Sequence, residues 1–161
     1  MNKNSMSANS TPSATDEPGF TIVRDFAASR ERVWDAWTSP DVMARWYHPE
    51  GLHTPRESVS VDLREGGIYA YTMIVDETGE EFPTGGRYRC VEPPRRLDFT
   101  WGKQGDEDIS PLVSLEFEEI DETTTRMTFM LTGLPSDSGA VDSVFDGWTS
   151  AFNVLEAEIA G

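Results

Sequence analysis

The chain has 161 residues, which is enough for one domain and too few for two domains with separate cores. Its 29 acidic residues outnumber its 13 lysines and arginines, so the formal net charge is −16. Such a charge repels phosphate backbones and anionic headgroups, and we therefore expect the protein to bind neither nucleic acid nor a membrane surface.

Cysteine content and hydropathy narrow the class of protein further. Cys90 is the single cysteine, which excludes an intramolecular disulfide and a zinc site built from several thiolates. No stretch approaches the roughly 20 apolar residues of a membrane-spanning helix, and the N-terminal segment has no apolar core typical of a secretory signal. We therefore expect a cytoplasmic protein. Residues 1–18 are rich in Ser, Asn, Thr and Pro, which predicts a disordered tail before one domain over residues 19–161.

The predicted domain begins with one strand and two short helices. Alternating and β-branched residues predict a strand over residues 20–26. Ser29 is placed to cap a first helix, whose apolar residues follow at helical spacing. Ser39 and Pro40 end that helix and begin a second one, with Ser39 as its cap and Pro40 at its first position.

The middle of the chain predicts an antiparallel sheet. From residue 57 to residue 134 apolar residues alternate with polar ones, which is the period of half-buried strands. Six strands are predicted there, with glycine-containing hairpin turns at residues 64–67 and 76–79. Together with the first strand they form a seven-stranded sheet with one apolar face.

The end of the chain predicts one long helix. Apolar residues recur at helical spacing from Val141 to Ile159, over roughly 30 Å at about 1.5 Å per residue. We predict an α+β fold in which the curved sheet wraps around this helix and the two short helices close one end. Gly147 lies inside the helix at a cost of roughly 1 kcal/mol relative to alanine. We interpret it as a sign that something packs closely against that turn.

This order of elements is similar to the helix-grip fold of the START-like (SRPBCC) superfamily, which includes the birch-pollen allergen. More closely, the chain resembles the prokaryotic homologues of the activator of the heat-shock-protein-90 ATPase. The resemblance covers about residues 20–160 and is carried by Arg24-Asp-Phe-Ala-Ala28, Val33-Trp-Asp-Ala-Trp-Thr-Ser-Pro40, Arg45-Trp-Tyr-His-Pro-Glu-Gly51, Asp62-Leu-Arg-Glu-Gly-Gly-Ile-Tyr69, Gly86-Arg-Tyr88, Pro93-Pro-Arg-Arg-Leu-Asp-Phe-Thr-Trp101, Thr125-Arg-Met-Thr128 and Gly147-Trp148. The chain departs from the family pattern at Ser29, usually Pro, at His48, where Gly is common, and at Leu131, often His.

The resemblance implies a cavity between the long helix and the inner face of the sheet. The candidates for its lining are Trp46, His48, Tyr69, Tyr71, Tyr88, Phe99, Trp101, Trp148 and Phe152. The alternative is that these side chains are ordinary close-packed core. Because buried Tyr and Trp need hydrogen-bond partners, a cluster of them inside an apolar shell favours a cavity.

Histidine, arginine, aspartate and cysteine side chains could also carry chemistry. His48 and His53 are candidates for an acid/base pair or for two metal ligands, but no third ligand follows at a suitable spacing, and we expect neither a metal nor a cofactor. Arg24 lies at an inward-facing position of the first strand. Since a buried arginine needs a carboxylate, we predict that it forms a structural pair with one. Asp98 alternates outward and is expected to face solvent. Cys90, in the inward phase, is predicted to be a buried core thiol.

These observations favour a binding protein that holds a small, largely apolar molecule without catalysing a reaction. One alternative is a cyclase- or dehydratase-type enzyme that uses a cavity Tyr or His48 as acid or base. Another, implied by the family resemblance, is a protein that contacts a chaperone. A deep pocket with a perturbed His or Glu would favour the enzyme, and a large exposed apolar patch would favour the chaperone contact. We expect a monomer or a weak homodimer.

Overall fold

The computed structural model describes residues 19–108, 111–134 and 140–160. The predicted disordered tail, residues 1–18, lies outside these described residues. The described chain begins with strand β1 (Gly19–Phe26) and continues into two consecutive helices, α1 (Arg30–Thr38) and α2 (Pro40–Trp46). The order of these three elements is the predicted one.

Two serines precede the helices, but only one of them caps its helix with its side chain. The Ser29 hydroxyl accepts a hydrogen bond from the backbone N–H of Arg32 at 3.3 Å, as the sequence predicts. Ser39 occupies the corresponding position before α2, yet its side chain makes no capping bond. Pro40 is the first residue of α2, where its missing N–H leaves nothing to satisfy. The break between the helices therefore depends on Pro40 and not on a side-chain cap from Ser39.

Among the described residues, nine strands form the sheet, two more than predicted. After β1 they are β2 (Leu52–His53), β3 (Ser60–Val61), β4 (Ile68–Val75), β5 (Glu81–Glu92), β6 (Arg96–Thr100), β7 (Gly102–Lys103), β8 (Leu112–Asp121) and β9 (Thr124–Thr132). The additional strands, β2 and β7, have two residues each. β3 is equally short but lies within a longer alternating stretch, whereas β2 and β7 lie in no alternating stretch of about four residues, the length that the pattern needs.

The sheet has the order β1-β9-β8-β6-β5-β4-β2, with β3 paired to β4 and β7 paired to β5. The pairing of β1 with β9 brings the first and last strands together. The long helix α3 (Ala140–Ala160) packs against β1, α1 and α2. This is the predicted α+β helix-grip arrangement, with the sheet curved around α3. None of the helices within the described residues is long and apolar enough to cross a bilayer.

Two adjacent glycines allow β5 to pass very close to its neighbours. A Cβ atom on Gly86 would lie 1.6 Å from the carbonyl oxygen of Thr100, and one on Gly85 would lie 2.6 Å from the carbonyl oxygen of Tyr69. Around this point β5 pairs with β4 on one side and with β6 and β7 on the other. Glycine is required here because the backbones leave no room for a side chain.

Trp37 of α1 lies at the centre of an aromatic core. Its ring centroid is 4.7–6.2 Å from those of Trp46, Tyr47, Phe99, Phe129, Trp148 and Phe152. These rings come from both short helices, the loop after them, the sheet and α3. Aromatic rings at such distances pack favourably. The buried side chain of Trp37 therefore joins the sheet, α3 and the two short helices.

A β-bulge in β5 overturns the predicted placement of Cys90. Tyr88 pairs with Phe99 of β6, but the following pair joins Cys90 to Asp98. Because β5 uses one residue more than β6 at this point, Cys90 faces away from the side of the sheet on which Tyr88 lies. Cys90 is half-buried, and its thiol donates to the Glu92 carboxylate at 3.5 Å. The expectation of a core thiol is wrong, and burial together with Glu92 raises the pKa of the thiol.

The alternation of side chains along a strand predicted the surroundings of Arg24 correctly and those of Asp98 wrongly. Asp98 was expected to face solvent, but it is only 8% exposed and pairs with the Arg96 guanidinium at 3.0 Å. β6 is a central strand between β5 and β8, so Asp98 has a neighbouring strand on each side, and the Arg96 side chain of its own strand lies against it. Arg24 has the predicted carboxylate partner, since its guanidinium donates to Glu156 at 2.7 Å and also to Asn153 at 2.7 Å. These bonds join β1 to α3.

Added salt is expected to raise the melting temperature. With a formal net charge of −16, the folded chain repels itself, and raising ionic strength from about 10 mM to about 150 mM shortens the Debye length from about 30 Å to about 8 Å. Exposed pairs such as Arg126 with Asp25 lose little in exchange, because surface ion pairs are weak. Calorimetry in a sodium chloride series at constant neutral pH measures the effect. A flat or falling melting temperature would contradict the prediction.

Candidate functional site

An apolar pocket of about 210 Å³ lies where the loop after α2, strand β4 and helix α3 meet. It is lined by Tyr47, His48, Pro49, Tyr71, Met73, Trp101, Ser143, Val144, Gly147, Trp148 and Ala151. Aromatic and aliphatic side chains with a few polar groups are the usual lining of small-molecule sites. The volume lies below the roughly 300–1,000 Å³ of pockets for drug-sized ligands, so the pocket suits a small molecule.

One face of α3 forms the first wall. Val144, Gly147, Trp148 and Ala151 follow one another at the i, i+3, i+4 and i+7 spacing that places residues on one side of a helix. A Cβ atom on Gly147 would meet no atom within 4 Å. The interpretation that something packs closely against Gly147 is therefore wrong, because that side of the turn opens into the pocket.

Trp148 separates the pocket from the core. It is 5% exposed, and its ring lies 4.8 Å from Phe129 and 5.3 Å from Trp101, measured between ring centroids. Its Nε1 is buried and has no hydrogen-bond partner in the described part of the chain. Trp148 therefore holds its position by ring packing and not by a hydrogen bond of its indole N–H.

The loop after α2 forms the second wall and is anchored at both ends. Trp46 is fully buried, and its Nε1 donates to the carbonyl of Ala36 at 2.7 Å, which satisfies a carbonyl in the last turn of α1. The backbone N–H of Glu50 donates to the hydroxyl of Ser150 on α3 at 2.8 Å. Residues 47–49, between these anchors, are therefore held against the pocket.

The sheet side of the pocket is formed by Tyr71 and Met73 of β4 and by Trp101 after β6. The Nε1 of Trp101 donates to the hydroxyl of Tyr71 at 2.8 Å. The Tyr71 ring also meets that of Tyr47 edge to face, with centroids 4.6 Å apart. Burial raises the pKa of the Tyr71 hydroxyl, which therefore stays protonated at neutral pH.

His48 is half-buried and takes part in a short chain of hydrogen bonds. Its Nδ1 lies 3.1 Å from the Oγ1 of Thr54, and the Thr54 hydroxyl donates to the carbonyl of Tyr47 at 3.0 Å. Burial lowers the pKa of the His48 imidazole below its usual value. His53 has a separate partner, the Asp76 carboxylate at 2.6 Å, and its side chain is exposed. Among the described residues no three His, Cys, Asp or Glu side chains lie together in a way that would hold a metal ion.

The structure divides the predicted cavity residues into two groups. His48, Tyr71, Trp101 and Trp148 line the pocket. Trp46, Tyr69, Tyr88, Phe99 and Phe152 do not line it, and each is at most 2% exposed. Tyr69 shows how such a residue is satisfied inside the core, since its hydroxyl donates to the carbonyl of Thr100 at 2.8 Å.

The remaining lining residues were missed by sequence reasoning; they are Tyr47, Pro49, Met73, Ser143, Val144, Gly147 and Ala151. Some of them carried a signal. Met73 follows Tyr71 at the period of a strand, and Ala151 follows Trp148 at helical spacing, so each shares a face with a predicted residue. Tyr47 and Pro49 belong to a loop, which has no period that could have revealed them.

Comparison with solved structures finds the same fold in other proteins. A protein from Chromobacterium violaceum is 23% identical with a TM-score of 0.78, over 89% of this chain and 99% of its own. The AHSA1 protein from Silicibacter pomeroyi is 26% identical with a TM-score of 0.76, over 89% of this chain and 98% of its own. An HSP90 activator from Plasmodium falciparum is 19% identical with a TM-score of 0.66, over 86% of this chain and 94% of its own. No curated protein matches the sequence.

The sequence pattern of one protein family matches most of the chain. The family is described as "Activator of Hsp90 ATPase homolog 1-like protein", and the match extends over residues 27–160. This span contains the helices α1, α2 and α3, the strands β2 to β9 and the residues that line the pocket. The chain belongs to the Activator of Hsp90 ATPase homolog 1-like protein family.

Proposed function

We propose that the protein binds one small, largely apolar molecule in the pocket between α3, β4 and residues 47–49. The observation that carries this proposal is Gly147. It lies within the 21-residue helix α3, where glycine is roughly 1 kcal/mol less favourable than alanine. A Cβ atom there would meet nothing within 4 Å, so packing does not require glycine. The absent side chain instead leaves room in the pocket.

The charges around the pocket favour a neutral ligand. None of its lining residues, all from the described part of the chain, is a Lys, Arg, Asp or Glu. A bound ion would therefore lose its hydration without gaining a charged partner. The net charge of −16 further disfavours an anion. Rings of Tyr47, Tyr71, Trp101 and Trp148 offer apolar faces to a neutral molecule.

The acid–base alternative gains little support from Tyr71, one of the two tyrosines that line the pocket. General acids and bases work best when their pKa lies near the working pH. Burial moves the pKa of Tyr71 further above neutrality, so its hydroxyl is a poor proton donor or acceptor in a reaction. A chaperone contact, which the family description suggests, would use the outer surface, and variants that fill the pocket would leave such a contact intact.

Filling the pocket at Gly147 is expected to weaken ligand binding strongly. The probe is para-propylanisole, a neutral molecule with an aromatic ring and a short alkyl chain. In Gly147→Leu the new side chain occupies the space beside Trp148, and we expect the affinity for the probe to fall at least about tenfold, because overlapping atoms exclude the probe from a close-packed site. Isothermal titration calorimetry of the full chain measures the affinity.

Gly147→Ala is the matched control. It brings the same gain in helix propensity but adds a single carbon, so the probe should still bind with an affinity close to that of the wild type. The proposal fails if the wild type shows no saturable binding of para-propylanisole up to its solubility limit. It also fails if Gly147→Leu binds the probe as well as Gly147→Ala does.

A further inference from the structure

We infer that the pocket selects a ligand that carries a hydrogen-bond donor, such as the hydroxyl of an alcohol or a phenol, and that this donor binds to Nε2 of His48. The inference rests on the proposed function and names the chemical class of its ligand. It follows from the way in which one threonine determines the position of the imidazole proton.

The hydrogen bonds of Thr54 determine which nitrogen of His48 carries the proton. A hydroxyl has one hydrogen, and that of Thr54 is donated to the carbonyl of Tyr47 at 3.0 Å. Thr54 is buried, with 4% exposure, so water does not compete for this bond. The contact of 3.1 Å between Oγ1 and Nδ1 of His48 therefore requires a proton on Nδ1, which donates to the oxygen.

The other nitrogen of the ring is then an acceptor that has no partner among the described residues. In a neutral imidazole a proton on Nδ1 leaves a lone pair on Nε2. No hydrogen bond joins Nε2 to another described residue, and Nε2 is not among the buried polar atoms that lack a partner. Within the described residues Nε2 is therefore neither paired nor enclosed, and His48 lines the pocket.

The remaining polar groups of the pocket do not select between donors and acceptors. Tyrosine hydroxyls such as that of Tyr47 can either donate or accept. The N–H of Trp101 is already used by the hydroxyl of Tyr71, and that of Trp148 is enclosed in the core. The lone pair on Nε2 of His48 accepts only. The ligand feature that this site recognises is consequently a donor.

The electrostatic surroundings keep this acceptor available at neutral pH. Burial is the main influence on the His48 ring, and it lowers the pKa of the imidazole. The nearby Asp76 carboxylate opposes this effect, and His53 adds to it. The ring is therefore neutral at pH 7, and its Nε2 carries no proton.

The inference is tested with para-propylphenol and para-propylanisole, in which a methyl group replaces the hydrogen of the phenol hydroxyl. Calorimetry on the full chain is expected to show that the phenol binds about three- to tenfold more tightly than the methyl ether, which is the size of one net hydrogen bond. His48→Phe keeps a ring in the wall but removes the acceptor, so the variant should lose the preference for the phenol. His53→Phe is the matched control and should keep the preference of the wild type.

The outcomes distinguish a failure of this inference from a failure of the proposed function. Equal affinities in the wild type would overturn the inference and leave the proposed function standing. A preference for the phenol that persists in His48→Phe would overturn it as well. If neither molecule binds up to its solubility limit, the proposed function falls and the inference falls with it.

The position of the proton is measured directly by nitrogen NMR of the imidazole. The chain has two histidines, so the His53→Phe variant leaves His48 as the single imidazole in the spectrum. We expect a protonated Nδ1 and an unprotonated Nε2 at neutral pH. A spectrum with the proton on Nε2 would overturn the inference whether or not either probe binds.

Discussion

Replacing Gly86 with alanine is expected to destabilise the protein by about 4 kcal/mol or more, at the upper end of single-substitution effects. The new Cβ would lie 1.6 Å from the carbonyl oxygen of Thr100 and 2.9 Å from the ring of Tyr69. The first obstacle is backbone, so β5 and β6 would have to move apart. The same carbonyl accepts the hydroxyl of Tyr69 at 2.8 Å, a buried bond that this movement would strain. Urea unfolding followed by circular dichroism measures the change.

The identical substitution at Gly147 is the control, because there a Cβ atom meets nothing within 4 Å. Gly147→Ala is expected to stabilise the protein by about 0.5–1 kcal/mol through its helix propensity. The free energy of unfolding should therefore fall in Gly86→Ala and rise in Gly147→Ala, although both variants replace glycine with alanine. A Gly86→Ala variant as stable as the wild type would show that β5 does not approach Thr100 as closely as described.

Replacing Trp148 with alanine is expected to cost about 3 kcal/mol, near the lower end for a buried tryptophan. The loss comes from its packing against Phe129, Trp37 and Trp101. It should lie near the lower end because the side of the ring that borders the pocket has few packing atoms to lose. Urea unfolding measures the free energy of unfolding. Calorimetry with para-propylanisole measures how the affinity of the pocket for the probe changes.

Trp148→Phe tests whether packing or the indole N–H explains that loss. Phenylalanine keeps a ring and removes an N–H that is buried without a partner, so we expect a cost of only about 1 kcal/mol. Equal losses for the two variants would contradict this account and would indicate that the indole N–H is satisfied in solution.

Much of the fold was predictable because its signals are local. The long helix, the two short helices divided at Pro40 and the alternating strands follow from periods of 3.6 and two residues. The carboxylate partner of Arg24 was predictable for the same reason, since strand phase placed the guanidinium on the side of α3. The strands β2 and β7 were not, because two residues form a strand only when a longer neighbour lies beside them.

The sequence by itself determined which face of most elements is buried, because burial follows from the period of the element. Asp98 and Cys90 are the exceptions described above. Only the tertiary structure decided which of the buried side chains border empty space. Tyr69 and Tyr71 share one face of β4, yet the first is core and the second lines the pocket. The difference depends on how far α3 and residues 47–49 lie from each part of the sheet. The helix and strand periods carry no information about this distance between elements. The orientation of the Cys90 side chain was likewise decided by the tertiary structure. A bulge in the pairing of β5 with β6 adds one residue to β5 and turns this side chain to the opposite face of the sheet.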